Sequence, residues 1–318
     1  MLIQRFSLAI VSVGVMILAA GAVSAQDYPS KPIRIITSGV GGNSDFDTRQ
    51  IAQGISGPLG QPVIVDNRTT FLAAEAVSKA PPDGYTLHVA GGTLWIAPLL
   101  QKTPYEVSDF SPISLIETQA NIVIVHPSLP VKSIKELIAL AKARPGELNY
   151  GSGATGGSTH LGVELFKSMA GVNVVRVAYK GSGPVIPALI GGEVQLTIQD
   201  VGSVVPHMKS GKVRALAVTS AEPSALVPGM PTVAASGLPG FEAIGLSGIF
   251  APTKTPAAII NRLNQEIVRF LNRADVRERF LGFGEEVVAS SPEQFAATIK
   301  SDVAKWSKLI KDAGIKVN

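Results

Sequence analysis

The segment KPIRIITSGVGGNSDFDTRQIAQGISGPLG (residues 31–60) contains the first repeating unit of this chain. It predicts a β-strand over residues 33–36, a glycine-rich turn, and a helix that begins near Asn43. The same order returns downstream, where PVIVDN (62–67) and TLHVAGG (86–92) are predicted strands on either side of a second helix. Repeated β-α-β units predict a parallel sheet with helices on both faces.

A second α/β block begins at residue 121, and two long amphipathic helices are predicted over 256–273 and 292–313. The strands and helices of this block are predicted in NIVIVHP, KSIKELIALAKA, LNYGSG with the helix after it, VVRVAY, VQLTIQD and VRALAVTS. The chain therefore predicts two α/β lobes. The first lobe comprises residues 26–121 and 246–318, and the second comprises residues 122–245.

The first 25 residues, MLIQRFSLAIVSVGVMILAAGAVSA, have the pattern of a secretory signal peptide. Arg5 precedes an apolar run, and small residues lead to a cleavage site after Ala25. We expect an exported, periplasmic protein, since the apolar run is short for a membrane anchor. The absence of cysteine excludes disulfides, thiol catalysis and iron–sulfur clusters. The net charge is only +4 and aromatic residues make up 6 %, so a nucleic-acid interface is not indicated.

Three predicted strands end in small or glycine-rich turns, at 38–45, 91–93 and 151–158. In a doubly wound sheet the carboxyl ends of the strands face the ligand crevice. The first and third turns lead into helices, whose first amides lack internal partners and attract anions. The structural alternative is that the glycines only form tight turns. Several such turns on one chain favour a binding crevice, with a carboxylate as its anion.

The third turn also permits a nucleotide interpretation. Gly151, Gly153 and Gly156 match G-x-G-x-x-G, and Arg176 follows about where a partner of a 2′-phosphate could lie. Against this interpretation, the preceding strand is short and the protein is predicted to be exported. A P-loop is excluded because no Gly-Lys-Ser/Thr follows the glycines. We therefore expect no cofactor.

Four other polar residues each have two interpretations. His160 could contact a ligand carboxylate or form a packing hydrogen bond. Asp45 and Asp47 could form a metal or acid–base pair, but their position near a helix start favours capping. Asp200 could accept a hydrogen bond from a ligand or simply end its strand. Because no G-x-S-x-G accompanies the serines near His160, a hydrolase is disfavoured. We expect neither a metal site nor an enzyme.

Motifs along the whole chain resemble those of the Bug-type extracytoplasmic solute receptors, which serve tripartite tricarboxylate transport systems. These motifs are YPSKPIRII, GGNSD, VDNR, AAEAVSKAPPDGYTL, GGTLWIAP, NYGSGATGGSTHLGVELF, VAYKGSGPVIPALIGGEVQ, GKVRALAVTS and MPTVAASGLPGFE. The resemblance implies an α/β, two-lobed periplasmic-binding-protein fold of type II-like architecture. Each lobe would contain a mostly parallel sheet with flanking helices, and the ligand cleft would lie between the lobes.

The resemblance also implies the residues that grip the ligand. In the first lobe and the second lobe they are Gly41, Gly42, Asn43, Ser44, Asp45, Gly92, Thr93, Ser152, Gly153, Thr155, Gly156, Ser158 and Asp200. We add His160, which follows the third turn, and Thr69 and Thr70, which border a loop shorter than the family usually has. Ser38 stands where the family has an aromatic residue, and Leu246 and Ser247 replace another. These departures predict a reshaped cavity.

The predicted function is capture of a small organic carboxylate and its delivery to the membrane subunits of a tripartite tricarboxylate-type transporter. Binding, rather than chemistry, would select the closed state, and the receptor would be a monomer. The alternative is a ligand-sensing subunit that signals to a membrane two-component system. In either case, replacing Ser152 and Thr155 together by alanine is predicted to weaken binding while leaving the fold intact.

Overall fold

The computed structural model of the chain describes residues 28–153, 155–179 and 183–315, so the predicted signal peptide lies outside them. Among the described helices, none combines the length and the apolar character that crossing a membrane requires. The strands, in chain order, are β1 (Ile33–Thr37), β2 (Val63–Asn67), β3 (Thr86–Gly91), β4 (Phe110–Gln119), β5 (Asn121–Val125), β6 (Asn149–Ser152), β7 (Val175–Ala178), β8 (Leu196–Asp200), β9 (Arg214–Val218), β10 (Gly245–Pro252) and β11 (Glu285–Val287).

The helices, in chain order, are α1 (Asn43–Leu59), α2 (Thr70–Ser78), α3 (Thr93–Leu100), α4 (Ile134–Ala143), α5 (Ser158–Ala170), α6 (Val185–Ile190), α7 (Val201–Lys209), α8 (Ala257–Leu271), α9 (Ala274–Phe283) and α10 (Pro292–Ala313). The strands form two sheets. The first has the order β11-β4-β10-β3-β1-β2 and the second has the order β7-β6-β8-β5-β9.

Burial on both sides of β1 explains why helices cover both faces of the first sheet. Ile33 and Ile35 are fully buried in one apolar cluster together with Ile51 of α1. Ile36 points to the opposite face, where it joins a second cluster that contains Ala73 of α2. Successive side chains of a strand point to opposite faces, so both faces of β1 are apolar and both are covered.

The pairing directions separate the β-α-β strands from the strands at the crossings. β1 is parallel to β2 and β3, and β6 is parallel to β7 and β8. β10 runs antiparallel to β3 and β4, β11 runs antiparallel to β4, and β5 runs antiparallel to β8 and β9. Each sheet is therefore mixed rather than mostly parallel. No β-α-β connection precedes β5 or β10, the strands at which the chain enters the second sheet and returns to the first, and both run antiparallel to their neighbours.

The chain crosses between the sheets twice. It leaves the first sheet at the end of β4 and enters the second at Asn121, which pairs with Asp200. It returns to the first sheet at Gly245, which pairs with Gln119. The long helix α10 contacts β4 and α3 on one side and α5 on the other. The lobe boundaries themselves stay a prediction, since sheet membership does not show which segments move together.

Candidate functional site

A cavity of about 160 Å³ lies where strand ends of the two sheets meet. The first sheet contributes the start of α1 and the turn from β3 into α3, and the second contributes the start of α5. The crossing segment before and within β10 forms another wall, and α10 contributes Asp302 and Trp306. Of the predicted site residues, the cavity brings together six: Asn43, Ser44, Gly92, Thr93, Gly156 and Ser158.

Three helices begin at this cavity without a side-chain cap. The residues that precede them are Gly42 before α1, Gly92 before α3 and Gly157 before α5, and none of these can cap through a side chain. The first amides of a helix have no intrahelical acceptor, and the helix dipole makes this end positive. The cavity is therefore suited to an anion, and it needs no lysine or arginine for that purpose.

Asp45 supports the first turn from behind. Its carboxylate accepts hydrogen bonds from the Gly41 amide at 3.0 Å and from Asn67 Nδ2 at 2.8 Å, and Arg49 Nε lies 3.0 Å away. Burial alone would raise the pKa of Asp45, but the hydrogen bonds from Arg49, Gly41 and Asn67 outweigh burial and lower the pKa. Asp45 is therefore ionised, and its carboxylate holds in place the turn that contains Gly41 and Gly42.

Arg176 forms hydrogen bonds with three of the residues that were predicted in the second-lobe loop. Its Nε donates to Ser152 Oγ at 2.7 Å, its Nη1 donates to Thr155 Oγ1 at 2.9 Å, and its Nη2 donates to the Gly153 carbonyl at 2.9 Å. These groups face the guanidinium and do not line the cavity. Among the described residues of this loop, Gly156 and Ser158 are the ones that line it. Arg176 thus shapes the loop from inside and does not extend toward a 2′-phosphate.

His160 has the packing role that the sequence left open. It is 3 % exposed, and the Gly156 amide donates to its Nδ1 at 3.1 Å. Burial, with a smaller contribution from Arg176, lowers the pKa of His160 to about 4. The imidazole is therefore neutral near pH 7, and it holds the loop in front of α5 rather than lining the cavity.

The remaining predicted residues lie elsewhere. Asp200 ends β8 and caps α7, where its carboxylate accepts from the Ser203 amide at 2.7 Å and from Ser203 Oγ at 2.8 Å. Thr70 lines a neighbouring cavity of about 150 Å³ beside Ser38, and Thr69 borders an open surface groove. Asp47 is fully buried inside α1, so it does not have the capping role that the sequence favours.

Several cavity residues were not predicted from the sequence: Glu117, Gln119, Asp302 and Trp306. Asp302 accepts hydrogen bonds from the indoles of Trp95 and Trp306, each at 2.8 Å. The four-residue spacing of Asp302 and Trp306 is visible in the sequence, but nothing local shows that α10 reaches the cavity. Glu117 could have been noticed in the sequence, because an acidic residue inside the apolar stretch SLIET is unusual for a buried strand.

Comparisons with known proteins cover nearly the whole chain. The family model of the tripartite tricarboxylate transporter family receptor, TctC, matches residues 48–315. Protein BugT of Bordetella pertussis is 34% identical over 316 residues, which cover 96% of this chain and 97% of BugT.

Solved structures show the same likeness. R. palustris Rpa4515 with adipate has a TM-score of 0.82 and 35% identity, with 91% of this chain and 99% of that chain covered. MatC from Rhodopseudomonas palustris with bound malate has a TM-score of 0.77 and 28% identity, with 89% of this chain and 100% of that chain covered.

These likenesses confirm the predicted two-lobed periplasmic-binding-protein fold. They also confirm the expectation that the chain is a binding protein, since the family and its structural neighbours are substrate-binding receptors and not enzymes. The motifs quoted above had indicated the same group of receptors. The chain therefore belongs to the tripartite tricarboxylate transporter receptor family, whose Bug-type members it resembles in sequence and in fold.

Proposed function

We propose that this chain is a periplasmic receptor that closes its two lobes over a small organic carboxylate and delivers it to the membrane subunits of a tripartite tricarboxylate-type transporter. One observation carries the proposal: the uncapped starts of α1, α3 and α5 converge on a single cavity. A carboxylate placed there accepts hydrogen bonds from backbone amides and lies at the positive end of three helix dipoles.

The origin of the three helices explains how binding favours closure. α1 and α3 follow strands of the first sheet, whereas α5 follows β6 of the second sheet. An anion held by both groups of amides is bound more tightly when the lobes are close, so it stabilises the closed state by that difference in affinity. Asn43, Ser44, Thr93 and Ser158 supply side-chain groups beside the amides.

The known ligands of two relatives support the chemical class. Rpa4515 was solved with adipate and MatC was solved with malate, and both molecules are dicarboxylates. Glu117, Ser247 and Asp302 make the far side of the present cavity polar. We therefore propose a short carboxylate whose other end carries a hydrogen-bonding group rather than a long apolar chain.

The binding test is a thermal-shift and calorimetric screen of mono-, di- and tricarboxylates, with malate and adipate included. A ligand that binds only the folded state stabilises it by about 2.7 kcal/mol at a hundred times its Kd. We expect at least one acid to raise Tm with its concentration and to bind at one molecule per chain. Absence of binding across all the acids would contradict the proposal.

Ser158→Asp separates anion binding from folding. The aspartate places a negative charge at the helix start, where it suits the dipole of α5 but repels a bound carboxylate. We expect Tm to stay close to that of the parent and the Kd of the acid to rise about 100-fold or more. Ser133→Asp is the control, because Ser133 caps α4 away from the cavity and aspartate caps equally well. If the parent and both variants bind the acid with equal affinity, the anion site does not lie at the start of α5.

Delivery and oligomeric state need separate experiments. Uptake of the labelled acid by cells that carry the transporter subunits should fall when the receptor gene is deleted, and return with the parent protein but not with Ser158→Asp. Native mass spectrometry should give the mass of one chain, with a bound acid. Uptake that does not depend on the receptor would leave binding intact and contradict delivery.

A further inference from the structure

Beneath the cavity, three acidic side chains from different elements meet in the interior. They are Asp47 of α1, Glu117 of β4 and Glu285 of β11. One carboxylate oxygen of each lies within 4.8 Å of the other two. The three side chains are 0 %, 2 % and 0 % exposed, in that order. We call these three residues the carboxylate cluster.

The sheet register forces the cluster together. Glu117 pairs with Ser247 of β10 on one side and with Val287 of β11 on the other. Glu285 pairs with Gln119, so it stands diagonally across from Glu117 on the same face of the sheet. Neither glutamate backbone can turn away without a change of register, and Asp47 packs onto them from α1.

The cluster lacks the partners that buried carboxylates normally have. Asp47 Oδ1, Glu117 Oε2 and both carboxylate oxygens of Glu285 are buried, and no donor from outside the cluster reaches them within the described part of the chain. The one hydrogen bond open to them joins the Asp47 and Glu285 carboxyl groups, and it requires a proton on one of the two. The hydroxyl of Ser247, which donates to Asp47 Oδ2 at 2.5 Å, satisfies only one further oxygen. Elsewhere, buried Glu266 is paired with Arg262 and Arg269. No ion pair among the described residues includes a member of the cluster.

An uncompensated triple negative charge cannot be kept in the interior. Something positive must therefore neutralise the cluster, and the choice lies between protons, a cationic group of a solute in the cavity, and a bound metal ion.

We propose that the carboxylate cluster of Asp47, Glu117 and Glu285 is a binding site for a hard divalent cation with the chemistry of Ca²⁺. Carboxylate and hydroxyl oxygens are the ligands that such ions prefer. Two oxygens on opposite sides of one Ca²⁺ stand about 4.8 Å apart at a Ca–O distance of about 2.4 Å, so the separations in the cluster fit one shared ion. The two free oxygens of Glu285 permit bidentate coordination.

Access favours a small ion over the ammonium group of a solute. Glu117 and Ser247 line the cavity, whereas Asp47 and Glu285 do not. An ammonium group in the cavity would meet Glu117 alone and leave two buried carboxylates uncompensated. A single ion is small enough to lie between the three side chains, where it would tie the start of α1 to β4 and β11. The sequence favoured a capping role for Asp47 over a metal site, and Glu117 and Glu285, which are far from it along the chain, were not among the candidate ligands.

The test uses the full folded protein after treatment with a chelator and dialysis. Tm is measured against increasing CaCl₂, MgCl₂ or MnCl₂ without any organic acid, and calorimetry and elemental analysis give the stoichiometry. We expect one Ca²⁺ per chain and a rise in Tm with its concentration. In Glu285→Gln the Kd for Ca²⁺ should rise more than about tenfold, because a charged and potentially bidentate ligand is lost. Glu285→Gln should still fold, since it also removes like-charge repulsion.

The control is Glu286→Gln, which changes the exposed neighbour on the same strand and should leave Ca²⁺ binding as in the parent. Three outcomes would overturn the proposal: no divalent cation raises Tm, less than one metal ion per chain is bound, or Glu285→Gln binds Ca²⁺ as the parent does. If Glu285→Gln raises Tm and added metal ions do not change the Tm of the parent, the cluster is neutralised by protons. Since no acid is added, failure here is distinct from failure of carboxylate binding.

Discussion

Arg176 shows how one side chain fixes a binding loop without lining the cavity. Its planar guanidinium reaches two hydroxyls and one carbonyl of the loop after β6 at the same time. A lysine could not make such a fork, because its ammonium is a point charge on a flexible stem. The loop that leads into α5 is therefore held in place before any solute arrives.

This geometry gives a physical reason for the effect predicted for Ser152→Ala combined with Thr155→Ala. The double variant removes two acceptors of a half-buried guanidinium, which then pulls away from the loop. We expect the Kd of the bound acid to rise about tenfold and the free energy of unfolding to fall by about 1–3 kcal/mol. Calorimetry and urea unfolding measure the two effects. Ser128→Ala with Ser210→Ala removes two exposed hydroxyls and should change neither; unchanged affinity in the test variant would contradict the prediction.

His88 makes a pH prediction at the same scale. Burial lowers the pKa of His88 to about 4, while its Nδ1 lies 2.8 Å from the Ile36 carbonyl. In the unfolded chain the imidazole of His88 takes up a proton near pH 6.5, whereas in the folded protein it does so only near pH 4. The contribution of neutral His88 to the free energy of unfolding is therefore complete above pH 6.5 and is lost as pH falls toward 4. The loss amounts to about 3 kcal/mol for a shift of this size.

The measurement is urea unfolding at pH 7, 5.5 and 4.5 for the parent and for His88→Gln. The parent should lose more stability than the variant as pH falls. Carboxyl groups also titrate over this pH range, and they do so alike in the two proteins. The difference between the two proteins is therefore the readout, and parallel curves would refute the assignment to His88.

At the scale of elements, α10 connects parts of the molecule that are distant in sequence. A capping box of Ser291 and Gln294 begins the helix, and Asp302 in its middle accepts from two indoles. One of those indoles belongs to Trp95 of α3, directly after the turn that lines the cavity. Asp302 thus fixes α3 and α10 together, and both contribute to the wall of the cavity.

Asp302→Asn tests this connection. The asparagine oxygen can still accept one indole N–H, but its amide nitrogen then faces the other indole as a second donor. We expect a loss of about 1–3 kcal/mol in the free energy of unfolding and a shift in tryptophan fluorescence. Asp312→Asn on the same helix is the control, since Asp312 pairs only with exposed Lys308. A stability equal to that of the control would show that the two indole bonds do not matter.

Elements with a strong local pattern were predictable from the sequence. α10 was placed over 292–313 and is observed there, because a cap and an amphipathic pattern both mark it. α3 was missed because TLWIAPLL is apolar on all sides and contains Pro98, so it has no helical periodicity. α9 and β11 were missed as well, since each owes its place to packing against other elements.

The residues of the candidate site also fall into those that the sequence predicts and those that it does not. The turns that line the cavity follow directly from strand ends and glycines, so the sequence indicates Asn43, Thr93 and Ser158 as cavity residues. The partners Arg176 and Asp302 come from other elements, and no local pattern reports which turn or indole they contact. Strand register, which the sequence alone does not specify, creates the carboxylate cluster.

At the scale of the whole molecule, a backbone contact limits how the proposed lobes approach each other. A Cβ on Gly202, in α7 beside the second sheet, would lie 2.8 Å from the Phe283 carbonyl oxygen, just before β11 of the first sheet. Real Cβ atoms do not approach backbone that closely, so any larger residue must push the two segments apart. Gly202 thus permits a close contact between the two halves of the chain.

Gly202→Ala is therefore expected to favour the open arrangement. The acid should bind about three- to tenfold more weakly, since part of its binding energy goes into closure against the added methyl group. Small-angle X-ray scattering should show a smaller decrease in radius of gyration with the acid than in the parent. Gly57→Ala has open space around the added atom and serves as the control. A parent-like decrease in Gly202→Ala would contradict a role in closure.

The double crossing between the sheets also has a consequence for biosynthesis. β3 and β4 find their common neighbour β10 only after the whole second sheet has been translated. The inserted half can complete its own sheet while the ribosome is still at work. Until then β3 has one edge and β4 has both edges unpaired, and such edges invite association with other chains. The sheet that begins first along the chain is therefore the second to be completed.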